Sequence, residues 1–343
     1  MHQTRLAVIG LGNVGHRLLE LLQLKRDTLQ ARFHRQFVIV GVCDSTGGVT
    51  DPRGVDIATI LELKRSRHCL ADLPQAQIHA HPADWLSTFE ADMVVELTPT
   101  NLQTGEPGLS VIRHALARKI SVVTANKGPL VLAYAELATL ARQNGVALLH
   151  SATVTGGLPT LNIGTRDLNV ATIERVEGIL NGTTNYILSR MAQGQTYAEA
   201  LKHAQEIGMA EADPTLDVDG WDAANKLVII ANAVLRRPTQ LKDVSVEGIR
   251  HITPEDIRSA AEHKQTIKLI ASAERIGKDY NLSVRPTRLE QSHPLARLGA
   301  GMMGVIYETD INGTIFAAIQ EEDPYPTAAA VLRDIVQAAT LPH

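Results

Sequence analysis

The 343-residue chain predicts an α/β fold, an N-terminal doubly wound parallel sheet followed by a second α+β domain. Three observations carry that expectation. A glycine-rich turn sits between an apolar run and a helical pattern at the N-terminus, apolar runs then alternate with helical stretches as far as residue 150, and the character of the chain changes at Ser151.

The first strand is the apolar run Leu6-Ala-Val-Ile9. It leads directly into Gly10-Leu-Gly12-Asn13-Val14-Gly15, and helical periodicity begins at His16. In a strand, G-x-G-x-x-G, helix arrangement the first glycine makes the tight turn and the second lets the backbone approach a pyrophosphate. The third lets helix pack on strand, with the phosphates at the helix N-terminus. Gly10, Gly12, Asn13, Val14 and Gly15 are therefore the expected dinucleotide contacts of a Rossmann-type domain. A second strand, Phe37 to Cys43, ends on Asp44, an acid suited to an adenosine ribose. Asp44 lies farther along than the usual spacing of about 20 residues, which implies a long first helix or an insertion near Arg32-Phe-His-Arg35. Thr46 and Gly47 follow with no arginine beside Asp44 to receive a 2′-phosphate, so NAD is expected ahead of NADP. Lys64, Arg65 and Arg67 are the residues that would fold back to serve NADP.

Strands at Met93 to Leu97, Ser121 to Thr124 and Val146 to Leu149 alternate with helices near 108–118 and 130–143. Doubly wound sheets bind ligands at the carboxyl ends of their strands. The loops there are Thr98-Pro99-Thr-Asn101 and Ala125-Asn-Lys127-Gly-Pro129. Thr98 and Pro99 are expected cofactor contacts, and Lys127 is a candidate for a carbonyl or carboxylate in the site. The dinucleotide-binding domain is placed at 1–150 and the second domain at 151–322.

In the second domain Arg175 to Leu180 reads as a strand, Asn181 to Asn185 as a turn able to hold a carboxylate, and Tyr186 to Met191 as a helix. Ile267 to Ala273 and Tyr280 to Arg285 read as further strands, and Pro326 to Ala339 as a final helix. The most informative segment is Ala204 to Lys226. Glu211, Asp213, Asp217, Asp219 and Asp222 fall within twelve residues, and Lys226 closes the run at the start of an otherwise apolar helix. Crowded carboxylates persist only when solvated or answered by cations, a metal or a charged ligand. Asp222 and Lys226 stand i,i+4, acid over base on one helical face, an arrangement suited to acid/base work. Helix capping alone is a competing account of such acids. A calcium loop is a poorer one, since the glycine after Asp219 comes too early and no closing glutamate follows.

A net charge of -4 and 3% aromatic residues argue against a nucleic-acid partner. Cys43 and Cys69 are too few for a disulfide framework, and no signal peptide or membrane-spanning run is legible, so a cytoplasmic enzyme acting on a small molecule is expected.

The order Gly10-x-Gly12-x-x-Gly15, Thr124-Ala-Asn-Lys127-Gly-Pro, Asn181-Gly-Thr-Thr-Asn-Tyr-Ile-Leu188 and Asp213-Pro-x-x-Asp217-Val-x-Gly220-x-Asp222-x-x-x-Lys226 resembles homoserine dehydrogenase over nearly the whole chain. The resemblance implies an NAD(P)-dependent enzyme interconverting L-aspartate 4-semialdehyde and L-homoserine, and a catalytic domain that also forms a homodimer. It implies that the segment 323–343 returns to the nucleotide domain and that the chain, ending at His343, is the short form without a regulatory ACT domain. Lys226 and Lys127 are implied at the reacting carbonyl or hydroxyl with Asp222 steering Lys226, and Glu211, Asp217, Gly182 and Thr183 at the substrate. A Na+ or K+ ion would be held by backbone carbonyls of Val154 and Gly156, but Ser151 stands where the family usually has a glutamate. The segment Gly299 to Gly304, implied near the nicotinamide, carries methionines where a polar residue is common. A dehydrogenase for another small amino-acid aldehyde and a non-catalytic nucleotide sensor are the alternatives; the Asp222/Lys226 pair argues against the sensor.

Overall fold

A computed structural model describes residues 2–79 and 81–340. Met1, Ala80 and 341–343 lie outside the described residues, and with them the His343 end of the expected C-terminal segment. The chain divides into two compact units, Met1–Gly157 with Asp323–His343, and Leu158–Glu322.

The first unit is built on β1 (His2–Ile9), β2 (Arg35–Cys43), β3 (Gly48–Thr50), β4 (Met93–Glu96), β5 (Ser121–Thr124) and β6 (Leu148–Leu149), ordered β3-β2-β1-β4-β5-β6. Every pairing is parallel except that of the edge strand β3. Leu6, Ala7, Val8 and Ile9 are wholly buried, as a central parallel strand covered on both faces requires. Strand order runs outward in both directions from β1 and β4. Their carboxyl ends therefore flank the crevice where such sheets take ligands.

The long interval before Asp44 is filled by helix. The helix Asn13–Leu24 is followed, after Lys25, by a second helix, Arg26–Phe33, which ends on His34 in the left-handed region at φ 53°. That second helix is mostly polar on all sides, so apolar periodicity does not reveal it.

The C-terminal helix Tyr325–Thr340 belongs to this unit, with Ala328, Val331, Leu332 and Ile335 in one core with Leu18, Leu19 and Leu22. A buried polar tie fixes it. Asp334 accepts the Ser151 N–H and the Ser151 hydroxyl, each at 2.7 Å.

The second unit is built on β7 (Ile173–Ile179), β8 (Ser245–Val246), β9 (Gln265–Ile276), β10 (Asp279–Glu290), β11 (Met303–Thr309) and β12 (Thr314–Ile319), ordered β12-β11-β7-β9-β10-β8. It is antiparallel apart from β8 beside β10. β12 is an edge strand whose exposed face carries Phe316 and Ala318, so no polar alternation marks it in the sequence. The turn expected at Asn181 to Asn185 is instead the start of a helix, Gly182–Ala192, four residues ahead of Tyr186. Asn181 caps that helix by accepting the Thr184 N–H at 2.8 Å.

Replacing Asp334 by alanine is expected to lower stability by about 1–3 kcal/mol, because two buried donors of Ser151 lose their acceptor. Chemical denaturation checks it, and an unchanged midpoint would remove the tie from this account of how the last helix is held.

Candidate active site

The three glycines of the first turn have different surroundings. A Cβ on Gly10, whose φ is +102°, would stand 2.4 Å from Leu97 O, and one on Gly15 would stand 2.2 Å from Gly10 O. A Cβ on Gly12 would meet no atom within 4 Å. Gly10 and Gly15 are thus required by the packing of strand, turn and helix. Gly12, the N-cap of the Asn13–Leu24 helix, opens onto the space a pyrophosphate needs at a helix N-terminus. The residues present fit a dinucleotide.

Asp44 follows β2, where an adenosine ribose is read. Its carboxylate accepts the Thr46 N–H at 2.8 Å and the Thr46 hydroxyl at 2.6 Å, and pairs with Lys64 Nζ at 2.6 Å. Burial pushes the Asp44 carboxyl up, but Lys64 and Thr46 outweigh it and hold it below the ordinary carboxylate range. Lys64, from the helix Ile57–Arg65, does fold back onto the acid. Arg65 turns instead to Glu20, 3.3 Å away.

At the ends of β4 and β5 a buried acid organises both loops. Glu96 is wholly buried and accepts from the Thr98 N–H at 2.8 Å, the Thr98 hydroxyl, the Thr124 hydroxyl at 2.8 Å and Asn126 Nδ2 at 3.4 Å. Burial pushes its carboxyl up against those donors. Asn126 caps the helix Lys127–Asn144, accepting the Gly128 N–H at 3.0 Å, and Lys127 is that helix's first residue. Pro99 is exposed in the loop after Thr98. Glu96 was legible as the only acid in an apolar strand, a position where charge is rarely kept without partners.

In the second unit Asn181 gathers the acids. Its Nδ2 donates to Asp217 Oδ1 at 2.7 Å and to Asp222 Oδ2 at 2.9 Å. Asp222 in turn pairs with Lys226 Nζ at 2.7 Å, and Nζ also donates to Leu180 O at 2.6 Å. The i,i+4 spacing on the helix Trp221–Ala233 thus produces the pair it suggests. Burial and the neighbouring Asp222 raise the Asp217 carboxyl above its ordinary range. Gly182 and Thr183 form the first turn over this cluster, and Thr183 Oγ1 donates to Met209 O at 3.1 Å. Glu211 stands exposed on the loop after Ala210, outside the group that Asn181 holds. Lys127 belongs to the first unit, Lys226 to the second. Sequence reading missed Asn181 itself as a site residue; an asparagine followed by glycine just after a strand was the available signal.

Val154 and Gly156 lie where Thr155 and Gly156 both take φ near 55°. Val154 O already accepts the Thr155 hydroxyl at 2.6 Å. At position 151 the side chain is a hydroxyl bonded to Asp334, and Arg333 Nη2 donates to it at 3.1 Å while Nη1 reaches Gly157 O at 3.5 Å. Ser151 thus offers a hydroxyl, already bonded to Asp334 and Arg333, in place of a carboxylate at this turn.

Two family models match the chain: "Homoserine dehydrogenase, NAD binding domain" over residues 10–151 and "Homoserine dehydrogenase" over residues 159–336. A homoserine dehydrogenase of Methanocaldococcus jannaschii is 37% identical, with 96% of each chain covered. A protein of Pseudomonas canavaninivorans named NAD(+)-dependent homoserine dehydrogenase is 36% identical over 98% of this chain and 96% of its own. The crystal structure of a homoserine dehydrogenase from Thiobacillus denitrificans superposes with a TM-score of 0.85 at 32% identity, covering 100% of this chain and 77% of that one.

The glycine geometry separates two substitutions. Gly15→Ala is expected to lower the melting temperature, because its Cβ has no room, whereas Gly12→Ala melts like the parent and loses dinucleotide binding in a fluorescence titration. Equal melting temperatures for the two variants would contradict this division.

Proposed function

The chain belongs to the homoserine dehydrogenase family, and from that premise we propose that the cluster around Lys226 carries the proton step of the family's reaction. The reaction is the NAD(P)-dependent interconversion of L-aspartate 4-semialdehyde and L-homoserine, on the way to threonine, methionine and isoleucine. The bound nicotinamide supplies or accepts the hydride. Lys226 Nζ gives a proton to the aldehyde oxygen during reduction and receives it back during oxidation. Asp222 and Leu180 O take two of the hydrogens of Nζ and fix its direction, leaving one for the substrate. This held lysine is the observation that carries the reading.

Asp217 receives the ammonium group of the amino-acid substrate; Glu211, solvated on its loop, is assigned to the same group by the family resemblance. The raised Asp217 carboxyl supports that role, since a buried acid beside another acid is stabilised when a cation arrives. Gly182 and Thr183 hold the substrate carboxylate at the helix N-terminus. Lys127 is assigned to the substrate carbonyl and the cofactor, with Thr98 and Pro99 beside the cofactor.

NAD is the preferred dinucleotide in this reading. Asp44 accepts a ribose hydroxyl, and Lys64, though folded back, is taken up by that carboxylate and not offered to a 2′-phosphate; the name of the Pseudomonas relative supports the same preference. Arg333 beside Ser151 supports turnover without a monovalent cation. No helix among the described residues is long and apolar enough to cross a membrane, and Cys43 and Cys69 are unpaired, in keeping with a cytoplasmic enzyme. A homodimer formed through the second unit belongs to the same reading.

Absorbance at the reduced-nicotinamide band tests these points together. Reduction is expected to require L-homoserine, to run faster with NAD than with NADP, and to be equal in potassium, sodium and choline chloride. Lys226→Ala is expected to abolish turnover while binding NADH normally; Asn181 still donates to Asp222, so the acid keeps a partner. Wild-type turnover in that variant would sink the assignment of Lys226.

A further inference from the structure

The second unit contains a buried lysine that the reaction does not use. Lys268, on β9, is 4% exposed, and burial pushes its Nζ down to about 8. Its partners are neutral oxygens: Asn185 Oδ1 at 2.7 Å, Leu298 O at 3.0 Å and Ser189 Oγ at 3.4 Å. An ammonium only donates, so Lys268 obliges Asn185 to turn its amide oxygen inward. The amide nitrogen then donates to Gly299 O at 2.7 Å and Met302 O at 2.9 Å. Lys268 and Asn185 together grip the carbonyls of Leu298, Gly299 and Met302 in one short loop.

Between the gripped points the loop lies against the helix that opens the substrate cluster. Gly301 O is 2.9 Å from where a Cβ on Gly182 would stand, and a Cβ on Gly301 would stand 3.1 Å from Met209 Cε. Met209 O accepts the Thr183 hydroxyl, and Asn181, the cap before Gly182, holds Asp217 and Asp222. The loop therefore rests on the first helical turn assigned to the substrate. Burying a cation among neutral oxygens is costly, and an apolar side chain would fill the same volume without that cost.

We propose that Lys268 and Asn185 are positioning residues for catalysis, which set loop 298–302 on Gly182 and Thr183 and so shape the wall that homoserine meets. The proposal rests on the assignment of Gly182, Thr183 and Asp217 to the substrate.

Asn185→Asp separates positioning from folding. The aspartate keeps an acceptor for Lys268 and adds the opposite charge, but replaces the donor to Gly299 O and Met302 O by an oxygen that repels them. Lys268→Met removes the ammonium that orients the amide. In both variants KM for L-homoserine is expected to rise about tenfold, more than kcat falls. Asp217→Asn runs alongside as a probe of the site. If Asp217→Asn raises KM but Asn185→Asp keeps the wild-type value, Lys268 and Asn185 serve packing alone and the proposal is overturned. If Asp217→Asn also leaves KM unchanged, the substrate assignment fails and the proposal falls with it. Should Lys268→Met not fold, Asn185→Asp decides.

Discussion

The side-chain amide of Asn181 is the contact on which the chemistry of the second unit depends. Its oxygen accepts the Thr184 N–H and starts a helix, and its nitrogen bridges Asp217 and Asp222. The orientation is not free, because one end faces a donor and the other faces carboxylates. A single residue therefore couples where the helix begins to where the acids stand. Lys226 is held at one remove, through Asp222, so the direction of its Nζ depends on the same amide.

That coupling explains how the chain tolerates so many acids between Glu211 and Asp222. Each is answered differently. Asp219 pairs with Arg250, Asp213 accepts the Thr215 N–H at 3.1 Å, and Glu211 is solvated. Asp217 and Asp222 are the two taken inside, and they share one donor. Helix capping, the competing account of acidic runs, covers little of this: no side chain caps the Trp221 helix, whose N-cap is Gly220 in the left-handed region. The acids are arranged around a neighbour distant in sequence.

Much of the first unit was legible because its signals are local. Gly10, Gly12 and Gly15 mark the strand-turn-helix by their spacing, and Asp44 marks the end of a buried strand. In the second unit the i,i+4 offset of Asp222 and Lys226 was enough to foresee their pairing. What stayed hidden depends on long-range contacts or on weak patterning. Nothing near Ser151 signals that Asp334 and Arg333 will meet it, since they arrive on a helix from the far end of the chain. Lys268 sits in an apolar strand where a lysine would ordinarily end the buried stretch, and Asn185 and Ser189 of one helix, with the Leu298 carbonyl, account for it. The strand β12 and the helix Arg26–Phe33 were missed because neither carries an apolar pattern of its own period.

The two units solve one problem in the same way. Two residues after β5, Asn126 caps a helix through its oxygen and reaches Glu96 and Thr98 through its nitrogen. Two residues after β7, Asn181 does the same with Asp217 and Asp222. Each first turn holds a glycine, Gly128 second in its helix and Gly182 first, and in each case another chain segment fills the place its Cβ would take: Asn101 O stands 2.5 Å from that point at Gly128, and Gly301 O 2.9 Å at Gly182. Asparagine is suited to this because it offers a donor and an acceptor on one short rigid group, where aspartate would repel the very acid it must hold. A strand end, an asparagine cap and a glycine thus bring a carboxylate and a second loop to one helix N-terminus. That is where backbone N–H groups are placed to meet an anionic ligand.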